Sequence, residues 1–412
     1  MTAPSKTRDD AQNISFMGFV NDATSENELA RFLKTTVLGS TAVEHGTIHT
    51  ATNWLHKSGV RSPQRLLVDV SGITNVLDEL DRLANVCEPS VQVYVIGDRN
   101  DVGLYRSLLQ RGVQDYIVKP ISAELLRRSL GDGTDTADSV RQVRNGRVIA
   151  VTGTRGGVGV TSVAAHLARE LAGESGRRRV AYLDLNPYNG NGASLLGLAG
   201  GNALIDLMSN VGHLDPQYLD RTLNTRDNRL YTLSAELEYT EAFAPDEKAL
   251  TDLLNVLSQH FHYIVLDMPS SGGTLAAEAF ANATLVCVVT DQSVHSARTL
   301  TRLMRHIQGR LRPPTTHIVL NQSRTSARGA VHTRDFTAAL EWPVAVSIPF
   351  DGQAPLMAEN LGDPLPPRSE FGRGVKMLAG LLTGDGLASG RRALRAGRRS
   401  GGLFARLRGA RP

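Results

Sequence analysis

The sequence contains little cysteine, and what it has argues against a disulfide framework. Only Cys87 and Cys287 occur in 412 residues. Cys287 lies in the apolar run TLVCVVT, a pattern typical of a buried strand thiol. No spacing typical of a metal site is present. The two thiols therefore predict neither a disulfide scaffold nor a metal centre.

Long apolar runs are also missing. No stretch of eighteen or more apolar residues occurs, so no transmembrane helix is predicted. Residues 1–13 are polar and lack the apolar stretch of a secretory signal, and we expect them to be disordered. A cytoplasmic protein is expected. With 41% hydrophobic and 21% charged residues, the chain has a globular composition.

Net positive charge is absent from the chain except near the C-terminus. Residues 386–412 hold eight arginines and no acid, while the whole chain has a net charge of +4. Of the 45 basic residues, 37 remain outside this segment against 41 acids, a net charge of −4. The high pI therefore belongs to the tail and not to the folded body.

The order of apolar runs predicts two α/β domains, as the length of the chain also suggests. Short apolar runs alternate with helical patterns over residues 14–130, which indicates βα units and a parallel sheet. Residues 131–147 have the composition of a linker. A second, larger doubly wound domain is predicted over residues 148–382. Residues 383–412 are predicted to form an arginine-rich flexible tail.

The strongest motif is VIAVTGTRGGVGVTSVAAHLAREL, which reads as a strand, a glycine-rich turn and a helix. Its glycines, Gly153, Gly156, Gly157 and Gly159, permit positive φ angles and close backbone approach. Several N–H groups can then face one phosphate where the helix dipole is positive. A tight βα turn would use the same glycines, but the flanking strand and helix favour phosphate binding.

TRGGVGVTS resembles the deviant Walker A loop of the MinD/ParA family, which usually reads KGGxGKTT. The resemblance extends over about residues 148–382 and implies a P-loop NTPase fold, ATP and Mg²⁺ as cofactors, and a homodimer. Arg155 stands in the place of the signature lysine, and Thr161 in that of the hydroxyl that binds Mg²⁺. The implied nucleotide-binding loop is Arg155, Gly156, Gly157, Val158, Gly159, Val160, Thr161 and Ser162.

Further landmarks of that family follow in order. YLDLNP resembles its switch, whose two acids correspond to Asp184 and Asn186 as the implied catalytic positions. YIVLDMPS resembles the Walker B strand and implies that Asp267 holds Mg²⁺ through its outer shell. Asn321 corresponds to an asparagine that contacts adenine. Asp184 and Asp267 could instead simply end their strands, and Asn321 could be a turn amide.

Two departures from the family pattern concern catalysis. Val160 replaces the P-loop lysine, which removes the cation beside the β- and γ-phosphates. Asn186 replaces the second acid of the switch, and an amide is not a useful base. Slow or absent hydrolysis is therefore predicted. Arg155 could compensate in part from its own or a partner subunit, or it could be a solvated loop charge.

Residues 14–130 resemble a response-regulator receiver. Asp22, Asp69 and Lys119 match its acid, phosphorylated aspartate and lysine, each beside a predicted strand. Asn21 stands in one acidic place, and Gly97 stands where a Thr or Ser should be. These departures argue against phosphorylation and predict a structural or docking role for Asp69.

A degenerate receiver followed by a MinD/ParA-like domain resembles the CpaE/TadZ proteins of Flp/Tad pilus assembly. This resemblance implies a localisation and assembly factor at the cell pole or inner membrane, with a pilus secretion ATPase among its partners. The alternative is an active ParA/MinD-type ATPase that positions cargo by nucleotide-dependent dimerisation. A phosphorelay output protein would require receiver chemistry that Gly97 disfavours.

The tail segment GGLFARLRGARP resembles the C-terminal membrane-targeting helix of MinD proteins. Leu403, Phe404 and Leu407 would share one helical face, with Arg406 and Arg408 beside them. An anionic membrane is the favoured partner. Nucleic acid, as the less favoured partner, and solvent remain open, because so short a helix is marginal in water.

Overall fold

The computed structural model describes most of the chain between residues 14 and 383. The described ranges are 14–57, 62–131, 145–173, 178–210, 223–226, 229–241, 243, 245–246, 248–270, 272–322, 331–362 and 364–383. They divide into two compact units. One comprises Met1–Gly146 with the short segments Glu174–Arg179 and Asn255–His262, and the other comprises Arg147–Gly173, Val180–Leu254 and Tyr263–Pro412.

The first unit contains a five-stranded parallel sheet in the order β2-β1-β3-β4-β5. Its strands are β1 (Phe16–Val20), β2 (Thr41–His45), β3 (Arg65–Asp69), β4 (Gln92–Gly97) and β5 (Asp115–Val118). Its helices are α1 (Ala23–Leu33), α2 (Ile48–Lys57), α3 (Val76–Ala84), α4 (Val102–Gln110) and α5 (Ala123–Leu130). This strand order is the flavodoxin-like one.

Burial explains this layering. Every residue of β1 is buried, which requires cover on both faces of the sheet. Two apolar clusters provide it, one built around Met17 and Phe19 and the other around Phe16 and Val20. Alternate residues of one strand therefore belong to different cores, as the period of a β-strand requires.

The second unit contains an eight-stranded sheet in the order β13-β12-β11-β6-β10-β7-β9-β8, parallel except for the β8–β9 pair. Its strands are β6 (Arg147–Gly153), β7 (Val180–Asp184), β8 (Asn224–Arg226), β9 (Leu230–Leu233), β10 (Tyr263–Asp267), β11 (Leu285–Thr290), β12 (Thr315–Asn321) and β13 (Val344–Ile348). The helices after Gly146 are α6 (Val160–Ala172), α7 (Gly192–Leu195), α8 (Ala203–Ser209), α9 (Ala249–His260), α10 (Thr274–Asn282), α11 (Val294–Gln308), α12 (Thr333–Ala338), α13 (Ala354–Leu361) and α14 (Glu370–Thr383).

The second sheet places the predicted site at its centre. Strand β6 lies between β11 and β10, and α6 follows it directly. Helix α6 packs on β6, β10 and β7 and against α14, and it buries eight of its residues. The loop before α6 and the carboxyl ends of β7 and β10 therefore meet at one edge of the sheet, where α/β proteins bind ligands.

The predicted α/β fold with parallel sheets is confirmed. Some details differ from the sequence patterns. The run ENELARFLKTTVL at residues 26–38 predicts a helix to Leu38, but α1 stops at Leu33, where the hydroxyls of Thr35 and Thr36 bond to the last carbonyls. Strands β2 and β8 were not predicted. The first is largely exposed, and the second has only three residues.

Several predicted boundaries fall outside the described residues. These are the disordered residues 1–13, most of the linker 131–147 and all but the first residue of the tail 383–412. Within the predicted linker, Gly131 caps α5 and Arg147 begins β6. None of the helices that the structure describes is both long and apolar enough to cross a membrane.

Candidate functional site

The glycine-rich loop of the second unit is shaped by two left-handed glycines. Strand β6 ends at Gly153 and α6 begins at Val160. Gly157 has φ +79° and Gly159, which caps α6, has φ +90°. Residues other than glycine rarely adopt these angles. The loop thus leads into a thirteen-residue helix whose first N–H groups have no partners within the helix.

Contacts with Asn321 hold this loop in place. Asn321, the last residue of β12, donates from Nδ2 to the carbonyl oxygen of Val158 at 2.9 Å. The same Nδ2 lies 2.5 Å from where a Cβ on Gly159 would stand, so a side chain there would displace this amide as well as strain the φ of +90°. Gly156 and Gly157 are exposed. One side of the loop is therefore bonded to Asn321, while the exposed side at Gly156 and Gly157 is open to a phosphate.

Val160 is packed on the core. Its side chain contacts the apolar cluster beneath α6, and its Cγ2 lies 2.5 Å from where a Cβ on Gly153 would stand. Val158 is 3% exposed and contacts the same glycine. The position that the family gives to a phosphate-binding lysine therefore contributes packing and no charge. Thr161 and Ser162 follow it in the first turn of α6 and are partly exposed.

Arg155 is held by an acid of its own chain. Its guanidinium forms an ion pair with the Asp291 carboxylate and donates to the carbonyl oxygen of Gly156 at 3.2 Å. Burial would raise the pKa of Asp291, but hydrogen bonds from Ser296, Arg155 and Ser293 outweigh it and lower the pKa. The Arg155 side chain is 44% exposed, so solvent reaches this ion pair.

Asp184 is enclosed by the loop that follows it. The carboxylate is 1% exposed, and its oxygens accept the backbone N–H groups of Asn186 at 3.1 Å and Gly192 at 3.2 Å. Burial raises its pKa, and these two amides offset part of the effect. Asn186 turns back on its own loop, where its Oδ1 accepts the N–H of Asn189 at 3.3 Å. Its amide therefore caps a turn.

Asp267 is the acid of the site whose pKa is shifted most. Burial and the nearby Asp184 charge raise its pKa to about 7, although hydrogen bonds from Tyr182 and Thr161 favour the charged form. The Tyr182 hydroxyl donates to Asp267 Oδ2 at 2.7 Å, and both residues are buried. Burial and the two carboxylates raise the pKa of Tyr182 well above its ordinary value. The phenol therefore remains a donor.

These residues fit a phosphate better than they fit Mg²⁺. The loop offers backbone amides at a helix N-terminus, which is sufficient to receive an anion. Of the two residues predicted to serve the metal, Asp267 is buried and already accepts the Tyr182 hydroxyl, and the predicted catalytic Asp184 already accepts two backbone amides. The site can therefore bind an anion, and no step through Mg²⁺ is derived from it.

Sequence reasoning missed two residues of this site. Asp291 directly follows β11, and an acid at the carboxyl end of a central strand was a signal that could have found it. Tyr182 lies inside the apolar run of β7, where an aromatic residue normally indicates core. No pattern in the sequence distinguishes this tyrosine from an ordinary buried one.

The first unit brings its predicted acids together around a lysine. Lys119 Nζ lies 2.6 Å from Asp22 Oδ2 and 2.5 Å from Asp69 Oδ2. Asp69 is fully buried and also accepts the backbone N–H groups of Asn21 and Ser71, each at 2.9 Å. Burial alone would raise the pKa of Asp22, but hydrogen bonds from Lys119 and Ser25 lower it to about 2.

Gly97 stands where the receiver pattern has a Thr or Ser, and the space beside it is occupied by the Tyr116 side chain. The Tyr116 hydroxyl lies 2.6 Å from where a Cβ on Gly97 would stand, and it donates to the carbonyl oxygen of Arg99 at 2.8 Å. The geometry supports a structural role for the cluster of Asp22, Asp69 and Lys119, because each of these side chains already has a protein partner.

The second unit has the structural features of the P-loop fold. A central parallel strand leads through a glycine loop into a helix, and acids end the two strands that follow on one side, β10 and β7. A family model described as an AAA domain matches residues 146–314.

Comparisons with known proteins agree with this class. The chain is similar to the chromosome partitioning protein ParA of Myxococcus xanthus (strain DK1622), with 29% identity over 178 residues. That alignment covers 39% of this chain and 58% of the relative, so the chain spans less than two thirds of the ParA protein's length.

Two solved structures are also similar. A ParA family ATPase from Chlorobium tepidum TLS has 20% identity and a TM-score of 0.52 over 57% of this chain and 98% of that chain. A pilus assembly protein CpaE from Caulobacter crescentus CB15 has 27% identity and a TM-score of 0.27 over 29% of this chain and 93% of that chain. The second unit has the fold of ParA/MinD-type P-loop NTPases.

Proposed function

We propose that this chain is a CpaE/TadZ-like localisation and assembly factor for Flp/Tad pili that binds ATP weakly and hydrolyses it slowly or not at all. The observation that carries the proposal is Val160, whose side chain packs on the apolar core at the start of α6. Backbone amides remain available for a phosphate, but the lysine cation that would neutralise the β- and γ-phosphates is absent.

Further support for weak turnover comes from the acids. Hydrolysis requires a residue that orients or deprotonates the attacking water. Asn186 cannot accept a proton usefully, and its amide oxygen is engaged with Asn189. Asp184 is buried and its oxygens accept two backbone N–H groups. Neither predicted catalytic position is thus poised to act on a water.

The pilus assignment rests on the order of the two units. A flavodoxin-like unit whose carboxylates are occupied by Lys119 precedes a P-loop unit that lacks the lysine. This combination suits a protein that recruits partners more than one that transmits phosphoryl groups. A homodimer and a pilus secretion ATPase are the proposed partners, and the cell pole or inner membrane is the proposed location.

The alternative is an active ParA/MinD-type ATPase. One observation favours it, because Arg155 is a partly exposed cation of the loop. An exposed ion pair contributes little free energy, so Arg155 could leave Asp291 for a phosphate of its own or a facing subunit. The loop clamp made by Asn321 suits either function.

Equilibrium ATP binding followed by turnover on the same preparation tests the proposal. We expect weak binding, very slow turnover and a homodimer. The mass of the protein in solution, measured with and without ATP, checks the dimer. Val160→Lys should tighten ATP binding by about 1–3 kcal/mol, because it restores a charged hydrogen bond. Val102→Lys is a matched control, since it adds the same charge at an exposed valine of the first unit. Turnover typical of ParA proteins would overturn the proposal.

The tail is a separate part of the proposal, and it lies outside the described residues. Its eight arginines and the apolar Leu403, Phe404 and Leu407 suit an anionic membrane surface. Deleting residues 386–412 should abolish binding to phosphatidylserine vesicles, and added salt should weaken binding of the full chain. Phe404→Ala should weaken attachment even at low salt. Equal binding by the deletion variant would rule out this role.

A further inference from the structure

Tyr182 occupies an unusual place beside the phosphate loop. It lies two residues before Asp184 on β7, next to β10, where its hydroxyl donates to Asp267 Oδ2 at 2.7 Å. Tyr182 is 0% exposed and Asp267 is 4% exposed, so water does not compete for this bond. The predicted metal acid is thus bonded to a phenol from the neighbouring strand.

The phenol is fixed in this position by the packing around it. Its ring belongs to the apolar cluster beneath α6. A Cβ at Gly192 would stand 1.9 Å from the hydroxyl, so the glycine that begins α7 leaves the room this ring needs. Because the ring is enclosed by sheet, helix and glycine, Tyr182 cannot turn away without displacing its neighbours.

The remaining polar groups are also occupied by the protein. Asp184 accepts the backbone N–H groups of Asn186 and Gly192. A metal-bound water that bonded to Asp267 Oδ2 would have to displace Tyr182 from that oxygen. The Tyr182 hydroxyl would then be buried without an acceptor, which is costly in a protein interior.

We propose that the phosphate loop takes the phosphate of a nucleotide without a divalent cation, and that Tyr182 is the residue that makes the site independent of metal. This inference rests on the proposed nucleotide binding and specifies its chemistry. The Tyr182 hydroxyl takes the place of a metal-bound water at Asp267 Oδ2. Affinity then comes from the backbone amides at the start of α6.

Calorimetric titration of the full chain with ADP tests the proposal, once with excess Mg²⁺ and once with EDTA. The two affinities should agree within about twofold, and Tyr182→Phe should bind ADP about tenfold more tightly with Mg²⁺ than with EDTA. Tyr94→Phe is a matched control, because it removes a fully buried phenol hydroxyl from the other sheet. Binding by the unaltered chain that needs Mg²⁺ would overturn the proposal.

A second measurement does not depend on nucleotide. Electron paramagnetic resonance of Mn²⁺ added to the full chain should detect no more bound metal in the unaltered protein than in Asp267→Asn, whereas Tyr182→Phe should gain a site. A Mn²⁺ site that is present in the unaltered chain and lost in Asp267→Asn would refute the inference. Failure of ADP to bind under any condition would instead refute the proposed nucleotide binding, and the Mn²⁺ result would still decide the role of Tyr182.

Discussion

The two units hold pairs of neighbouring carboxylates in two different ways. In the first, Asp22 and Asp69 share the ammonium of Lys119. In the second, Asp184 and Asp267 are neighbours across β7 and β10, and the donors they receive from the described residues are hydroxyl and amide groups. Both pairs lie at the carboxyl ends of parallel strands. The same position in the fold therefore holds an ion triad in one unit and a network without a cation in the other.

This difference determines which protonation state each unit prefers. Lys119 and Ser25 overcome burial and lower the pKa of Asp22 to about 2, so the acid stays charged. Burial and Asp184 raise the pKa of Asp267 to about 7, so the acid tends to stay neutral. A shared cation offsets the repulsion between two neighbouring carboxylates. Where only hydrogen bonds are present, part of that repulsion is relieved when one carboxylate binds a proton.

The two units should consequently respond to pH in opposite senses. Asp22 has a lowered pKa, so its contribution to stability is present above its ordinary value of 3.8 and is lost as pH falls toward 2. Asp267 has a raised pKa, so the folded state keeps a proton that the unfolded chain releases. Its contribution is present below 3.8 and declines as pH rises toward 7.

The largest effect should follow from removing the cation of the first unit. Lys119→Met leaves Asp22 and the fully buried Asp69 unpaired. We expect a loss of about 3–5 kcal/mol in the free energy of unfolding of that unit, because breaking a buried ion pair leaves uncompensated charge. Urea unfolding followed by Trp54 fluorescence in a Trp342→Phe background reports this unit alone, since each unit has one tryptophan.

Two variants sharpen this result. Lys34→Met removes an exposed lysine just after α1 and should change stability by less than about 0.5 kcal/mol. Combining Lys119→Met with Asp69→Asn should recover part of the loss, because only one acid then lacks its cation. A single Lys119→Met variant as stable as the unaltered protein would show that the ion triad is not what holds the acids.

The next effect concerns the network without a cation. Asp267→Asn keeps an acceptor for Tyr182 but removes the charge, so it should stabilise the second unit at pH 8 by about 2–4 kcal/mol and have little effect near pH 4. The unaltered unit should lose stability between pH 4 and 7. Trp342 fluorescence in a Trp54→Phe background follows the transition as a function of pH.

Asp252→Asn supplies the control for charge. Asp252 is an exposed acid near the start of α9, and its replacement should leave the pH dependence of the second unit unchanged. If Asp267→Asn leaves the slope between pH 4 and 7 as steep as before, Asp267 does not carry the proton and the comparison between the two units fails.

Much of this arrangement could be predicted from the sequence, because local patterns determined it. The glycines of the phosphate loop, the acids at strand ends and the alternation of βα units are all short-range signals. The positions of Asp184, Asp267, Asn321 and Lys119 follow from the strands that they end or follow. Topology then brings such residues together without any further information in the sequence.

The partners of those residues could not be predicted in the same way. Tyr182 bonds to Asp267 across 85 positions, and Arg155 pairs with Asp291 across 136. Which side chains meet depends on strand register, and a shift of one residue would turn Tyr182 to the other face. Register is a property of the packed sheet. The sequence therefore indicated the site, while the groups that occupy its acids emerged only in three dimensions.

The smallest effect on stability should come from Arg155, the exposed cation of the phosphate loop. Its replacement tests whether burial or charge causes the difference between the units. Arg155 and Lys119 both pair with acids, but the Arg155 side chain is 44% exposed and that of Lys119 only 16%. Arg155→Ala should cost the second unit no more than about 1 kcal/mol, and less in high salt, because solvent screens the pair and Asp291 keeps Ser293 and Ser296. Arg305→Ala, which breaks the exposed pair with Glu341, is the matched control and should cost a similar amount. If Arg155→Ala destabilised its unit as much as Lys119→Met does, burial would not be the deciding factor, and the phosphate loop would depend on its arginine for folding before any ligand binds.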